Sequence, residues 1–185
     1  MPQTKAIVSI ENVVASASIN QRFDLNLITK NFVEVEYHPD QFPGLVFRLK
    51  DPKTATLIFS SGKMICTGAR SEEQSRKAVQ EVVRRLKKGG IPIKNKAKTV
   101  IQNIVASVNL GGKIHLEEAA RKLQKSMYEP EQFPGLIHRM ADPKTVFLVF
   151  SSGKLVCTGA KKESEVYRAV NTLHVMLEEK GLMAY

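Results

Sequence analysis

The sequence repeats itself once, and this duplication constrains the possible folds more than any other feature. Each residue from Ile10 to Ala69 has a counterpart about 91 positions later, without gaps, and roughly half of the paired residues are identical. Five recurring blocks are Asn-Val-Val-Ala-Ser (second copy Asn-Ile-Val-Ala-Ser), Gln-Phe-Pro-Gly-Leu, Asp-Pro-Lys-Thr, Phe-Ser-Ser-Gly-Lys and Cys-Thr-Gly-Ala. Two copies predict a pseudo-twofold pair of repeats, residues 1–91 and 92–185, packed tightly across a short join at Gly89–Pro92.

Each repeat is predicted to form strands followed by a long helix. In the first repeat, β-branched and apolar runs alternate with Asp-Pro and Ser-Gly turns, which is typical of antiparallel strands. Ser71 and Gln74 form a capping box that predicts the start of a helix ending at Gly89, and a shorter helix is expected after Asp24. The predicted strands are Ala6 to Ala17, Leu45 to Leu49, Thr54 to Phe59 and Met64 to Thr67.

The predicted strands carry apolar side chains on both faces. Along Thr54 to Phe59 the odd positions are all apolar, and so is Ile58 among the even ones. Two helices per repeat can cover only one face, so the other would be an apolar surface open to water unless something binds it. From the pattern alone, this surface fits a binding face and the core of a sandwich or dimer equally well.

Charge and composition restrict the class of partner. The 185 residues include 28 Lys and Arg against 18 Asp and Glu, a formal net charge of +10, which favours polyanions such as nucleic acid. No run of 18 apolar residues occurs, and the N-terminus lacks a signal-peptide pattern, so we expect neither a transmembrane nor a secreted protein. Several basic residues lie on the helix after Ser71, as a solubilising face or a docking surface: Arg76, Lys77, Arg84, Arg85, Lys87 and Lys88.

The sequence offers no catalytic or metal-binding constellation. Its four histidines are scattered without ligand spacing, and neither Ser-Gly-Lys follows a glycine at the distance that a phosphate-binding loop needs. Cys66 and Cys157 are too few for a disulfide framework or a zinc site and fit a reducing compartment, as small apolar strand residues. We therefore predict no enzyme, no metal and no cofactor.

The five doubled blocks, in this order, closely resemble the TATA-box-binding protein family over nearly the whole chain. Gln-Phe-Pro-Gly-Leu in both repeats is more similar to archaeal members, so we expect a protein without the long low-complexity N-terminal extension of many eukaryotic members. The resemblance implies an α+β saddle, in which each pseudo-symmetric repeat has a curved antiparallel five-stranded sheet and two helices. The concave sheet face would grip the minor groove of TATA-box DNA. Members of this family are a standard example of DNA kinking, by about 80°.

Matched position by position, the resemblance implies DNA contacts in both repeats. Asn12 and Asn103 match central asparagines, whose amide NH₂ can donate to adenine N3 and thymine O2. Four phenylalanines match the wedges that open two base steps, although an arbitrary strand phenylalanine is more often core. They are Phe42, Phe59, Phe133 and Phe150.

Two further sets of positions follow from the same match. An apolar floor leaves the guanine N2 amino group without an acceptor and so disfavours G·C pairs. Its members are Val14, Leu57, Ile65, Thr67, Val105, Leu148, Val156 and Thr158. Phosphate-contacting positions, which make binding dependent on salt, are Arg48, Ser61, Lys63, Arg139, Ser152 and Lys154.

The resemblance also implies protein partners. Glu129 and Glu131 match the C-terminal stirrup on which transcription factor B docks through acidic residues, whereas the first repeat has His38-Pro39-Asp40 there, a difference that would orient the complex. RNA polymerase would be recruited indirectly, and the free protein could form a weak homodimer. We expect an intracellular, DNA-associated protein, in the cytoplasm or nucleoid if it is archaeal.

Two other classes of function remain compatible with an apolar sheet face. One is a pocket for a small ligand or lipid, which as an enzyme would need a polar catalytic pair that the sequence does not show. The other is a dimerisation module whose apolar face closes on a second chain.

Overall fold

The computed structural model describes residues 2–185, so Met1, which begins the first predicted repeat, lies outside the described residues. This part of the chain forms four helices and eleven strands. The helices are α1 (Leu25–Asn31), α2 (Glu72–Lys88), α3 (Leu116–Lys122) and α4 (Glu163–Glu179). The strands are β1 (Ile7–Ser18), β2 (Leu45–Lys50), β3 (Lys53–Ile58), β4 (Lys63–Ala69), β5 (Lys98–Asn109), β6 (Lys113–Ile114), β7 (Ser126–Met127), β8 (Leu136–Ala141), β9 (Lys144–Val149), β10 (Lys154–Ala160) and β11 (Met183–Ala184).

The chain divides into two compact units. The N-terminal unit is Asn12–Gln102, and the C-terminal unit is Asn103–Tyr185 together with the residues up to Glu11. Strand β1 therefore belongs to the C-terminal unit up to Glu11 and to the N-terminal unit after it. Strand β5 belongs to the N-terminal unit up to Gln102 and to the C-terminal unit after it. Each unit combines most of one sequence repeat with a strand segment of the other. The boundary between the two sequence repeats, 1–91 and 92–185, remains a prediction.

The N-terminal unit contains an antiparallel sheet in the order β2-β3-β4-β1. Leu45 pairs with Ile58 in the β2–β3 ladder, and Leu57 pairs with Ile65 in the β3–β4 ladder. Beyond β2, a single bridge between Glu36 and Val46 stands where a fifth strand was expected. The turn between β2 and β3 contains a cis peptide bond before Pro52.

The C-terminal unit contains the corresponding sheet in the order β5-β10-β9-β8-β7. Here the fifth strand exists as β7, where Ser126 pairs with His138 and the Ser126 hydroxyl lies 3.0 Å from His138 Nδ1. Burial lowers the pKa of His138, so the ring is neutral at pH 7 and does not place a charge between the strands. Strands β6 and β11 form a separate two-stranded sheet.

The long helices cover one face of each sheet, as the sequence pattern predicts. In α2, the Ser71 hydroxyl accepts from Gln74 N at 3.0 Å and Gln74 Oε1 accepts from Arg70 N at 3.0 Å, which satisfies two backbone donors at the helix start. None of the helices in residues 2–185 has the length and apolarity needed to span a membrane. The fully buried faces are Ala78, Val79, Val82 and Leu86 in α2, and Val166, Ala169, Val170, Leu173 and Leu177 in α4.

Both cysteines face this helix-covered side and are buried. Burial away from water disfavours the thiolate, which raises the pKa of Cys66 and raises the pKa of Cys157 to about 12. The hydroxyls of Thr56 and Thr54 act in the opposite direction on Cys66. Both residues therefore act as small apolar core groups.

On the outer face of α2, Glu81 pairs with two arginines, and this predicts that the stability of the protein depends on pH. Arg84 Nη2 and Arg85 Nε donate to its Oε1 at 2.6 and 3.0 Å, and these hydrogen bonds lower the pKa of Glu81 to about 2. We expect Glu81→Gln to lower the free energy of unfolding by about 0.5–1 kcal/mol at pH 7. A carboxyl with a depressed native pKa stabilises above its unfolded pKa of about 4.3. The difference between wild type and variant should therefore shrink as pH falls from about 4.3 towards 2.

Urea unfolding of both proteins at several pH values measures this difference. Glu73→Gln is the matched control, because Glu73 forms a more exposed pair with Lys77 in the same helix. A constant difference between wild type and Glu81→Gln from pH 7 to 2 would contradict the assignment.

Candidate nucleic-acid interface

The sheet face opposite the helices is open in each unit. In β1 the side chains of Val13 and Ala15 are buried, whereas Val14 between them is only partly buried. In β3 the threonines and Ile58 are buried, and Leu57 lies on the opposite side. Within residues 2–185, no helix of a unit packs over this second face. The apolar surface expected from the sequence is therefore present and accessible.

A groove follows the open face in both units. The groove of the N-terminal unit has a volume of about 990 Å³, and that of the C-terminal unit about 680 Å³. Apolar side chains form the floor, with lysine and serine side chains at the margin. The N-terminal groove is lined by Val14, Phe59, Ile65, Lys63 and Val100, among others, and the C-terminal groove by Ile7, Phe150, Val156, Lys154 and Ser107, among others.

The four predicted wedge phenylalanines form one pair in each unit. Phe42 and Phe59 are 5.9 Å apart between ring centroids with an interplanar angle of 65°, and Phe133 and Phe150 have the same distance and angle. Phe42 is 43% exposed and Phe133 39% exposed. Large aromatic rings this exposed at the end of an apolar groove are available to a ligand.

The backbone around each pair holds the more exposed ring in place. His38 O accepts hydrogen bonds from the N–H groups of Gln41 and Phe42, and Glu129 O accepts the equivalent bonds from Gln132 and Phe133. A Cβ atom on Gly44 would lie 2.6 Å from Phe42 Cε2, and one on Gly135 would lie 2.7 Å from Phe133 Cε2. The glycine of Gln-Phe-Pro-Gly-Leu is therefore needed because the ring packs directly against the backbone. Sequence analysis did not assign this role to it.

The central asparagines are fixed by a β-bulge in the neighbouring strand. Gly68 has φ +100°, and the register between β1 and β4 shifts by one residue there. As a result, Gly68 N donates to Asn12 Oδ1 at 2.7 Å, and Asn12 Nδ2 donates to Thr67 Oγ1 at 3.0 Å. Because the backbone donor fixes which end of the amide is oxygen, the NH₂ group must occupy the other end.

The C-terminal unit repeats this arrangement around Asn103. Gly159 N donates to Asn103 Oδ1 at 2.7 Å, and Asn103 Nδ2 donates to Thr158 Oγ1 at 3.1 Å. Among residues 2–185, the threonine hydroxyl is the acceptor for each amide. The glycine in Cys-Thr-Gly-Ala was the only sequence signal of the bulge, since glycine inside a strand often marks one.

The predicted floor residues all lie on the open face of their units. Two of them have a different role from the others, because Thr67 and Thr158 use their hydroxyls to hold the asparagines and present only their methyl groups as floor. The remaining floor residues are partly exposed apolar side chains: Val14, Leu57, Ile65, Val105, Leu148 and Val156.

The predicted phosphate-contacting residues are exposed, but the two units differ. Arg48 Nη1 pairs with Glu36 Oε1 at 2.8 Å. The position matching Glu36 is Met127, and no carboxylate of the described residues forms an ion pair with Arg139. A phosphate binding to Arg48 would therefore have to displace a carboxylate, whereas one binding to Arg139 would not.

The remaining predicted residues lie at the ends of each groove. The hydroxyls of Ser61 and Ser152 accept from Lys63 N and Lys154 N, both at 3.4 Å, and the two lysines are exposed. Glu129 and Glu131 are exposed in the turn that precedes Phe133. Each unit thus contains ten of the residues that the sequence predicts to contact DNA.

Sequence analysis missed a change of face within the two longest strands. Val8 and Ile10 of β1 lie on the helix side of the C-terminal unit, but Val13 and Ala15 lie on the helix side of the N-terminal unit. Even positions thus point to the helices before Glu11, and odd positions do so after Asn12. Strand β5 changes face in the same way between Gln102 and Asn103. The open face therefore extends to Ile7, Ser9, Lys98, Val100 and Gln102.

Comparison with known proteins identifies close relatives of the whole chain. The family model described as "Transcription factor TFIID (or TATA-binding protein, TBP)" matches twice, at residues 7–89 and 98–180. A TATA-box-binding protein of Pyrodictium occultum is 56% identical over 177 residues, covering 96% of this chain and 89% of the relative. One of Sulfurisphaera tokodaii is 53% identical, covering 95% and 88%.

A solved structure shares the fold. The Methanococcus jannaschii TATA-binding protein superimposes with a TM-score of 0.84 at 44% identity, covering 93% of this chain and 98% of that one. The α+β fold class expected from the sequence is confirmed by this likeness. The resemblance in the five doubled blocks is confirmed by the family match.

Proposed function

Because the chain belongs to the TATA-binding protein family, whose members are DNA-binding transcription factors and not enzymes, we propose that it binds and kinks TATA-box promoter DNA in the minor groove. The single observation that carries this proposal is the open apolar face of each unit, with an exposed phenylalanine pair at its end. Such a face fits an unwound minor groove, whose floor is flat and poor in hydrogen-bond donors.

The proposed recognition of A·T pairs rests on the two asparagines. Each amide is oriented by a backbone N–H on its oxygen, which leaves the NH₂ end as the donor. Adenine N3 and thymine O2 accept hydrogen bonds from such a group, whichever strand carries the adenine. The guanine N2 amino group would meet an NH₂ donor or an aliphatic side chain and lose its bond to water.

The proposed kinks use one phenylalanine pair per repeat. A ring inserted between two base pairs replaces part of their stacking and opens the groove towards the apolar floor. Flexible T-A steps make this deformation less costly. The exposed cations of both grooves, and the net charge of +10, would supply phosphate contacts that position the DNA. We expect the affinity to fall steeply with salt.

We further propose that the bound complex recruits transcription factor B and, through it, RNA polymerase. Glu129 and Glu131 support this proposal, because both carboxylates are exposed in the turn that leads into Phe133. A basic partner surface would bind there without competing for the apolar floor. The first repeat has Asp40 as its only acidic residue in the matching turn, so the two ends would not be equivalent.

A gel-shift titration with two duplexes tests the proposed function. One duplex carries a TATA element, and the other has its A·T pairs replaced by G·C pairs. We expect retardation of the first at protein concentrations at least tenfold lower, and a steep loss of binding between 50 and 200 mM salt. Equal retardation of both duplexes would contradict minor-groove recognition. Binding to neither, together with a stable dimer in sedimentation, would support the dimerisation alternative.

A further inference from the structure

The bridge beside β2 places the side chain of Glu36 on the open face of the N-terminal unit. Glu36 N donates to Val46 O at 3.1 Å, and Val46 N donates to Glu36 O at 2.8 Å. Residues opposed in this way across an antiparallel pair point to the same face, as do residues two apart in one strand. The side chains of Glu36, Val46 and Arg48 therefore share a face. It is the open face, because both chain neighbours of Val46 are buried on the helix side.

On this face, Glu36 holds the arginine that is a candidate for a phosphate contact. Arg48 Nη1 lies 2.8 Å from Glu36 Oε1, and both side chains are more than half exposed. An ion pair this exposed adds little to the stability of the fold. Towards DNA its effect is larger, because the carboxylate competes with phosphate for the guanidinium and also repels the phosphate itself. Removing the carboxylate should therefore change DNA binding more than stability.

The C-terminal unit has the same arginine without the carboxylate. Met127 occupies the position matching Glu36 and pairs with β8 as Glu36 pairs with β2. Its side chain is exposed and uncharged, and no carboxylate of residues 2–185 forms an ion pair with Arg139. The charge of Arg139 is therefore available to a ligand at once, whereas Arg48 must first leave its partner.

We propose that Glu36 limits phosphate binding by the N-terminal unit, so that Arg139 holds the DNA backbone more tightly than Arg48 does. The proposal rests on minor-groove binding as the function, and it identifies a residue that weakens one of the two matched phosphate contacts. Because phosphate contacts carry no sequence information, Glu36 lowers the affinity for every duplex by the same factor. The preference for TATA-box DNA is left unchanged.

Replacing Glu36 by methionine gives the N-terminal unit the residue that the C-terminal unit has at the matched position. Each phosphate neutralised by a cation contributes about 0.9 to the slope of log affinity against log salt concentration. We expect Glu36→Met to bind a TATA duplex about tenfold more tightly than the wild type at about 50 mM salt, and about threefold more tightly at about 200 mM. Met127→Glu should have the opposite effects. Fluorescence anisotropy titrations at several salt concentrations measure affinity and slope together.

Glu73→Met is the matched control for the loss of a charge. Glu73 also forms an exposed ion pair in the N-terminal unit, with Lys77 at 3.1 Å, but it lies on α2, on the helix-covered side of the sheet. We expect its affinity to stay within about twofold of the wild type, with an unchanged salt slope. A G·C duplex measured in parallel should gain the same factor as the TATA duplex from Glu36→Met.

Removing each arginine separately tests whether Glu36 acts through Arg48. We expect Arg139→Gln to lower the affinity about tenfold but Arg48→Gln only about twofold, because breaking the pair with Glu36 already offsets most of the phosphate contact. In the Glu36→Met background, Arg48→Gln should cost about as much as Arg139→Gln. An equal cost of Arg48→Gln in both backgrounds would overturn the proposed competition.

The outcomes separate this inference from the proposed function. If the wild type prefers the TATA duplex to the G·C duplex but Glu36→Met matches Glu73→Met in affinity and slope, the role of Glu36 is overturned and minor-groove binding stands. If the wild type shows no preference for the TATA duplex, the proposed function is overturned and this inference with it.

Discussion

Replacing Phe42 and Phe133 together by alanine is expected to abolish most of the DNA bend and to weaken binding to a TATA duplex about a hundredfold. Stacking of an aromatic side chain on a base contributes about 1–3 kcal/mol, and the variant loses two such contacts. Both rings are substantially exposed and lie at the end of the groove, so their removal leaves the helix-covered cores intact. The family's bend of about 80° should fall towards that of free DNA.

Energy transfer between dyes at the two ends of a short duplex measures the bend directly. Tyr167→Ala is the matched control, because this aromatic residue is 52% exposed on α4 and does not line either groove on the open face. It should bind and bend DNA as the wild type does. A double variant that melts at the wild-type temperature and still bends DNA fully would show that the phenylalanines are not wedges.

Replacing Asn12 and Asn103 together by aspartate is expected to reduce affinity for the TATA duplex by at least a hundredfold. The carboxylate can still accept from Gly68 N and Gly159 N, so the bulges and the fold are retained. Each NH₂ donor, however, becomes an acceptor that faces the acceptors of A·T pairs, at a cost of about 1–3 kcal/mol per site. Affinity for a G·C duplex should change less, so selectivity falls with affinity.

A gel-shift titration on both duplexes gives the two affinities, and circular dichroism verifies folding. Asn171→Asp, at an exposed position on α4, adds one negative charge away from the open face and serves as the charge control. If the double aspartate variant lost no more affinity than expected from two such control charges, the asparagines would not be the readers of A·T pairs.

The sequence predicted most of the fold because its local signals agree with each other. The Ser71 cap, the buried stripe of α2 and the alternation along β3 each depend on residues close together in the chain, and each is found. The fifth strand of the first repeat was harder, since the structure has only the Glu36–Val46 bridge there. Whether so short a segment pairs as a strand depends on its tertiary contacts more than on its own residues.

The site residues were predicted by position, but their mutual arrangement was not. The change of face in β1 left a trace in the sequence, because the apolar positions shift from even numbers, the half-buried Val8 and Ile10, to odd numbers, the buried Val13 and Ala15. Without a structure, that shift resembles an ordinary apolar run. The hydrogen bond from Gly68 N to Asn12 joins segments far apart in sequence, and the ion pair of Arg48 with Glu36 depends on how the chain folds back beside β2, so no local pattern could have indicated these contacts.

The buried thiols make this chain convenient for site-specific chemistry. Alkylating reagents attack thiolates, and burial raises the pKa of Cys157 to about 12, which keeps its thiol protonated at neutral pH. Cys66 is also shielded, with its pKa raised by burial. A single cysteine introduced on the surface would therefore be labelled while both native thiols stay unmodified. Spectroscopic reporters could then follow the protein on DNA without first removing two residues from its core.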